Sequence, residues 1–338
     1  MKVLIADKLD ASAVRSLADR GAEVESRPEL KADDLPAAIA ELDPDVLVVR
    51  STKVSGQAIR AGQLLKLIVR AGAGYDTIDV DAASSAGVFI ANCPGKNSVA
   101  VAELTWGLIL AADRRIAAQD RMLKHGKWDK KGFAKASGIY GRTLGVIGLG
   151  TIGQEVTRRA LAFGMRVVAW SRSLDDSRAA QLEVTRAATP LDVAREADVL
   201  TVHVAATPDT KGLISRELID AMKDGATLIN TSRGSVVDEA ALMHGIESKG
   251  LRAGLDVYQN EPGSGDKAFE SPVARSEAVV GTHHVGASTD QSQEAIAAEV
   301  ARIIIEFITS GEVPNCVNLD QKSAHDTLLT VRHKNRPG

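Results

Sequence analysis

The chain has 338 residues, a formal net charge of −3, 44% hydrophobic and 25% charged residues. At about 150 residues per domain this length favours two domains, and the composition is that of folded globular chains, not disordered ones. No basic excess is available to drive nucleic-acid binding, and the 3% aromatic content leaves few stacking platforms for single strands, so no nucleic-acid partner is expected.

The two cysteines, Cys93 and Cys316, have neither the number nor the spacing of a disulfide framework or a metal site. Both are expected as small buried hydrophobes in a reducing compartment. Asp7 interrupts the apolar run Val3–Ala6 before any signal core forms, and no apolar run approaches the roughly 18 residues that span a bilayer. A cytoplasmic protein without a membrane partner is expected.

Strands are predicted at Val3–Ala6, Ala22–Glu25, Val46–Val49, Leu67–Val69 and Val88–Ile90, separated by Ala-rich helical segments. Such alternation builds βαβ units around a parallel sheet. One long helix is predicted from Asn97 to about Lys124, apolar at Val101, Leu104, Leu108 and Ile109. A second strand series follows at Thr143–Ile147, Val167–Ala169, Val199–Val202, Thr227–Ile229, Ala253–Leu255 and Val279–Gly281, and six strands with intervening helices fit a Rossmann sheet. A last helix, Gln291–Ser310, would carry the chain back towards the first sheet. The fold class is therefore α/β, with two doubly wound parallel-sheet domains. A Rossmann nucleotide domain at 98–286 is inserted in a smaller flavodoxin-like domain made of 1–97 and 287–318.

Gly148-Leu149-Gly150-Thr151-Ile152-Gly153 follows the strand Thr143–Ile147 and leads into the helix Gln154–Phe163. Gly148 permits a tight turn, Gly150 a close approach of backbone N–H groups to a pyrophosphate, and Gly153 the packing of helix on strand. Thr151 and Ile152 ride on the same turn, and the helix N-terminus faces the anion. The next strand leads to Ser171, Arg172 and Ser173, with no acid where the ribose hydroxyls are usually read. Two hydroxyls flanking an arginine suit a 2′-phosphate, which points to NADP. The alternative is that Arg172 stacks on the adenine while NAD binds through its pyrophosphate.

Three polar residues follow strands of the second series: Arg233, Glu261 and His284. In an open α/β sheet ligands sit beyond the carboxyl ends of the strands, which puts all three on the nucleotide's side. Hydride transfer from a secondary alcohol needs a base for the hydroxyl proton, and His284 can serve. Glu261 can fix the imidazole tautomer and stabilise imidazolium, while the Arg233 fork can hold a substrate carboxylate.

Four segments carry a resemblance: Gly141-Arg142-Thr143-Leu144-Gly145 with the glycine turn, Asn230-Thr231-Ser232-Arg233-Gly234, Gly254-Leu255-Asp256-Val257-Tyr258-Gln259-Asn260-Glu261-Pro262, and His284-Val285-Gly286-Ala287-Ser288. In these the chain resembles the D-isomer-specific 2-hydroxyacid dehydrogenases along nearly its whole length. The resemblance implies catalytic Arg233, Glu261 and His284, an Asp256 that contacts the nicotinamide carboxamide, and Thr231 and His203 along the cofactor. His283 stands where the family usually has proline before the catalytic histidine, and the spacing to Val285 and Gly286 selects His284.

Within the family the chain looks most like the branch acting on D-3-phosphoglycerate, which opens serine synthesis. Val49-Arg50-Ser51-Thr52-Lys53-Val54 resembles that branch's substrate loop, Arg70-Ala71-Gly72-Ala73-Gly74-Tyr75-Asp76 its carboxylate-binding turn, and Gly126–Phe133 its interdomain arm. Arg50, Ser51, Lys53, Arg70, Ala73 and Gly74 are therefore the expected substrate contacts, in the smaller domain. The tail 319–338 resembles the opening of an ACT-type regulatory domain, and serine feedback through a complete ACT module is not expected. A glyoxylate or hydroxypyruvate reductase, and a dinucleotide-sensing regulator of the corepressor type, are the alternatives. The long helix after Asn97 and the family together point to a homodimer.

Other signals carry less. Asn230-Thr231-Ser232 matches a glycosylation sequon but lies at a predicted buried strand end. His283 and His284 are adjacent, so in extended chain they point apart and do not chelate one ion; no metal site is expected.

Overall fold

Val46–Val49 reads Val-Leu-Val-Val with all four side chains buried, a pattern that a strand covered by helices on both faces satisfies. The computed structural model describes residues 1–262 and 268–319 and builds two parallel sheets from runs of this kind. In the first unit, Met1–Lys96 with the segment from Asp290 onward, β1 (Lys2–Ile5), β2 (Glu23–Ser26), β3 (Val46–Val49), β4 (Leu67–Arg70) and β5 (Phe89–Asn92) lie in the order β2-β1-β3-β4-β5. The order reverses between β1 and β3. Aliphatic clusters cover both faces, one built on Val3, Val48 and Val69 with Val300 and Ile304 of the helix Asp290–Ser310, the other on Leu4, Leu47 and Ile68. Each fully buried Val, Leu or Ile contributes roughly 1.5–3 kcal/mol.

The second unit, Asn97–Thr289, holds β6 (Thr143–Ile147), β7 (Arg166–Trp170), β8 (Thr185–Arg186), β9 (Val199–Val202), β10 (Thr227–Asn230), β11 (Arg252–Leu255) and β12 (Val279–Gly281). Their order is β12-β11-β10-β9-β6-β7-β8, parallel throughout, with the reversal between β6 and β9. This is the doubly wound arrangement expected from the sequence, with one strand more: β8 is a two-residue edge strand with both side chains exposed, so it leaves no apolar run to read.

The helix expected from Asn97 to about Lys124 is two helices, Ser98–Arg114 and Ile116–Lys124. Arg115 breaks it with φ 53, a left-handed conformation that few non-glycine residues take. The first helix buries one face against β10, β11 and β12, whereas none of the second helix's side chains is buried. Cys93 and Cys316 are buried and not joined in a disulfide, and burial pushes the Cys93 thiol up to about 12. Among the described residues no helix is long and apolar enough to cross a membrane, and no group of three or more His, Cys, Asp or Glu could hold a metal ion. From residue 320 on, the ACT-like tail lies outside the described residues.

Candidate active site

The glycine turn sits at the reversal of the second sheet. Gly148 has φ 95, and a Cβ there would stand 2.3 Å from the carbonyl oxygen of His203 at the end of β9. A Cβ at Gly153 would meet the Gly148 carbonyl at 2.2 Å, so helix and turn pack backbone to backbone. Around Gly150, at the N-cap of the helix Thr151–Ala162, no atom lies within 4 Å of an added Cβ. That open side at a helix N-terminus is where an anion can approach N–H groups and a positive dipole end. The Thr151 hydroxyl accepts from Ser98 Oγ at 2.9 Å, and Ile152 is half-buried against the core.

Beyond β7 a cleft of about 190 Å³ is lined by Leu149, Gln154, Ser171, Ser173, Leu174, Arg178 and Leu182. Arg178 donates to Gln154 Oε1 at 3.0 Å and shares this cleft with the two serines. Neither Gln154 nor Arg178 was expected from the sequence, because they stand 24 residues apart and meet only through the fold. Arg172 is exposed and is not part of the lining. His203 pairs Nε2 with Thr201 Oγ1 at 2.9 Å, while its Nδ1 is shut off from solvent without a partner. Burial pushes this imidazole down to about 3, so it is neutral. The glycine cradle, the open helix end and the orphaned nitrogen together fit a dinucleotide.

The catalytic candidates are held by three loops at the carboxyl ends of β10, β11 and β12. Asn230 ends β10 fully buried; its Oδ1 accepts from the Ser232 N–H and Oγ, and its Nδ2 donates to the Arg233 carbonyl. This side chain shapes the loop that presents Arg233, whose Nη1 donates to the Ser232 carbonyl at 2.8 Å. Thr231 is buried and hydrogen-bonded to Thr105 at 2.9 Å. At Gly234 an added Cβ would stand 1.9 Å from the Tyr258 carbonyl oxygen, so the arginine loop rests on the backbone of the glutamate loop.

Glu261 Oε1 accepts the Tyr258 N–H at 2.9 Å and Oε2 lies 2.6 Å from His284 Nδ1. Burial raises the Glu261 carboxyl, but hydrogen bonds from His284 and the Tyr258 N–H, with the nearby charges of His284 and Arg233, outweigh it and hold the group below the ordinary value of 4.5. The carboxylate is ionised and oriented, and the imidazole stays 46% exposed. His284 has φ 53. The buried Asp256 holds that turn: its carbonyl accepts the His284 N–H at 2.8 Å, Oδ1 accepts Thr282 Oγ1 at 2.6 Å and the Val285 N–H at 2.9 Å, and Oδ2 accepts the Gly286 N–H at 2.9 Å. His283 is exposed beside it. The sequence assigned Asp256 to the cofactor; its work for the histidine turn becomes visible only in three dimensions.

In the first unit the expected substrate residues also lie at strand ends: Arg50, Ser51 and Lys53 follow β3, Arg70 is the last residue of β4, and Ala73 and Gly74 follow it. The Ala73 carbonyl accepts from Asn92 Nδ2 at 2.6 Å at the end of β5, which sets the 70–74 turn.

The family model for "D-isomer specific 2-hydroxyacid dehydrogenase, NAD binding domain" matches residues 106–286. A D-3-phosphoglycerate dehydrogenase of Methanocaldococcus jannaschii is 40% identical over 321 residues, which are 94% of this chain and 60% of that protein. A hydroxypyruvate reductase of Thermotoga maritima is 40% identical over 308 residues, covering 90% of this chain and 97% of that one. The solved NADPH-dependent glyoxylate/hydroxypyruvate reductase of Sinorhizobium meliloti, in complex with NADP and malonate, superposes with a TM-score of 0.81 at 27% identity, covering 94% of this chain and 96% of that one. The chain spans about three fifths of the length of the curated archaeal and mycobacterial phosphoglycerate dehydrogenases it matches. With the glycine turn, the paired acid and imidazole and the arginine loop all lying in or beside the matched segment, the chain belongs to the D-isomer specific 2-hydroxyacid dehydrogenase family.

Proposed function

We propose that the chain interconverts a D-2-hydroxyacid and its 2-oxoacid, with Arg233, Glu261 and His284 as the catalytic residues. The 2.6 Å contact between His284 Nδ1 and Glu261 Oε2 carries this reading. A nicotinamide dinucleotide, when bound, exchanges a hydride with C2 of the acid. Gly148, Gly150 and Gly153 would hold its pyrophosphate, with Thr231, His203 and Asp256 along its length.

In the reductive direction His284 holds the proton at Nε2 and delivers it to the carbonyl oxygen; in oxidation the neutral nitrogen takes it from the hydroxyl. Glu261 engages Nδ1, so the proton that moves is confined to Nε2, and the carboxylate balances the imidazolium. The Arg233 guanidinium fork holds the substrate carboxylate and keeps the reacting carbon in register.

The substrate proposed is D-3-phosphoglycerate, whose phosphate and carboxylate call for several cations; Arg50, Lys53 and Arg70 supply them, with the N–H groups of Ala73 and Gly74. The 40% identity to a phosphoglycerate dehydrogenase supports it. Hydroxypyruvate or glyoxylate reduction is the second reading, favoured by equal identity to a hydroxypyruvate reductase along 97% of that protein. For the cofactor, Ser171, Ser173 and Arg178 on one cleft, with Arg172 beside it, favour NADP alongside NAD. Steady-state assays with 3-phosphohydroxypyruvate, hydroxypyruvate and glyoxylate, each with NADH and NADPH, decide among these: no turnover of the phosphorylated acid removes the first substrate, and a large preference for NADH removes the 2′-phosphate role.

A homodimer is part of the proposal. Trp128 and Tyr140 are 79% and 86% exposed, and the helix Ile116–Lys124 exposes Ile116 and Leu123. These exposed apolar side chains are the ones a second copy of the chain would cover. Light scattering at micromolar concentration should give twice the chain mass.

A further inference from the structure

Asp7 follows β1 and Arg50 follows β3, the two strands between which the order of the first sheet reverses. In open α/β sheets the crevice beyond such a reversal is where ligands bind. Here a side chain of the protein itself occupies the backbone of that crevice. Asp7 Oδ2 accepts the N–H groups of Arg50, Ser51 and Thr52 at 2.7, 3.1 and 3.1 Å, and Oδ1 accepts Ser51 Oγ at 2.9 Å. Successive N–H groups converging on one oxygen form a concavity suited to an anion, and Asp7 fills it. From the helix Asp290–Ser310, Gln293 Oε1 accepts Arg50 Nη1 at 2.6 Å.

We infer that Asp7 is the positioning residue of the substrate loop 50–53, and that Gln293 aims the Arg50 guanidinium. This rests on the reading of that loop as the site for the substrate's anionic end. With three N–H groups taken by a carboxylate, the main chain at 50–52 cannot hold that anion, and recognition passes to the side chains of Arg50 and the exposed Lys53. Ser51, expected as a substrate contact, spends its hydroxyl proton on the clamp. The fixed negative charge beneath the loop repels a second anion from the backbone and leaves the outward cations as the favourable approach.

The test compares Asp7→Asn, Gln293→Ala and Arg50→Ala, using the 2-oxoacid turned over fastest, with hydrogen exchange of the 50–52 amides read in parallel. Asp7→Asn should raise the KM for the oxoacid about tenfold, and Gln293→Ala about threefold, with kcat and the cofactor KM within about twofold of wild type. The three amides should be protected in the wild type and exchange at least about tenfold faster in Asp7→Asn. Wild-type oxoacid KM in both variants, or unprotected amides in the wild-type protein, overturns the inference. Should Asp7→Asn fail to fold, Gln293→Ala and the wild-type exchange decide it alone. An unchanged KM in Arg50→Ala, with the amides still protected, instead overturns the substrate reading of the loop, and the positioning role falls with it.

Discussion

His284 has one ring nitrogen engaged by a carboxylate and one left for chemistry, and its backbone is held at φ 53 by Asp256. Replacing it with asparagine keeps polarity and approximate size but removes the imidazole. His284→Asn should lower kcat by about 10²–10⁴ while leaving cofactor affinity intact, as checked by steady-state rates and cofactor fluorescence titration. Glu261 gives a second prediction at this scale. Its folded-state value is depressed below 4.5, so its contribution to stability is complete above that value and is lost as pH falls through the folded one. Glu261→Gln should therefore melt below wild type at pH 7, with the gap closing as pH falls below 4.5; a gap undiminished well below pH 4.5 would contradict the pairing.

Between elements, the contact of greatest consequence is backbone on backbone. A Cβ at Gly234 would stand 1.9 Å from the Tyr258 carbonyl oxygen, and the two loops in that contact carry Arg233 and Glu261. Gly234→Ala must push them apart. A loss of about 100-fold in kcat/KM is expected, with a fall in stability of about 1–3 kcal/mol by denaturant titration. In the first unit the buried Glu299 accepts Arg302 at 2.7 Å, Lys96 at 3.2 Å and Asn315 at 2.8 Å, tying the helix Asp290–Ser310 to residues on both sides of it. The Arg302 hydrogen bond, against a burial penalty and with help from Asn315 and Lys96, pulls its carboxyl down to about 2. Glu299→Gln should lower the melting temperature at pH 7, and the difference should vanish as pH falls from 4.5 towards 2.

At the scale of the molecule, both sheets were legible because their strands are runs of aliphatic residues at helix-length spacing. What the sequence hid is local and polar, or long-range. The two exposed residues of β8 carry no periodicity, and the left-handed Arg115 that splits one expected helix into two is not a glycine. The histidine and glutamate were legible through their motifs, and they meet across 23 residues at 2.6 Å. Asp7 was not: its partners lie 43 to 45 residues away, and one acid after a strand has no signature until the loop is seen folded onto it. Arg178 and Gln154 escaped for the same reason, and a double Arg172→Ala, Arg178→Ala variant should lose affinity for NADPH about tenfold more than for NADH if the cleft reads a 2′-phosphate.

The proton relay through His284 and Glu261 is tested most directly by following nicotinamide absorbance for the wild-type protein and His284→Asn across the three 2-oxoacids. The expected result is turnover of at least one oxoacid by the wild type, cut about 10²–10⁴-fold in the variant while the reduced cofactor still binds. Equal rates in the two proteins, or no turnover of any of the three by the wild type, would contradict it.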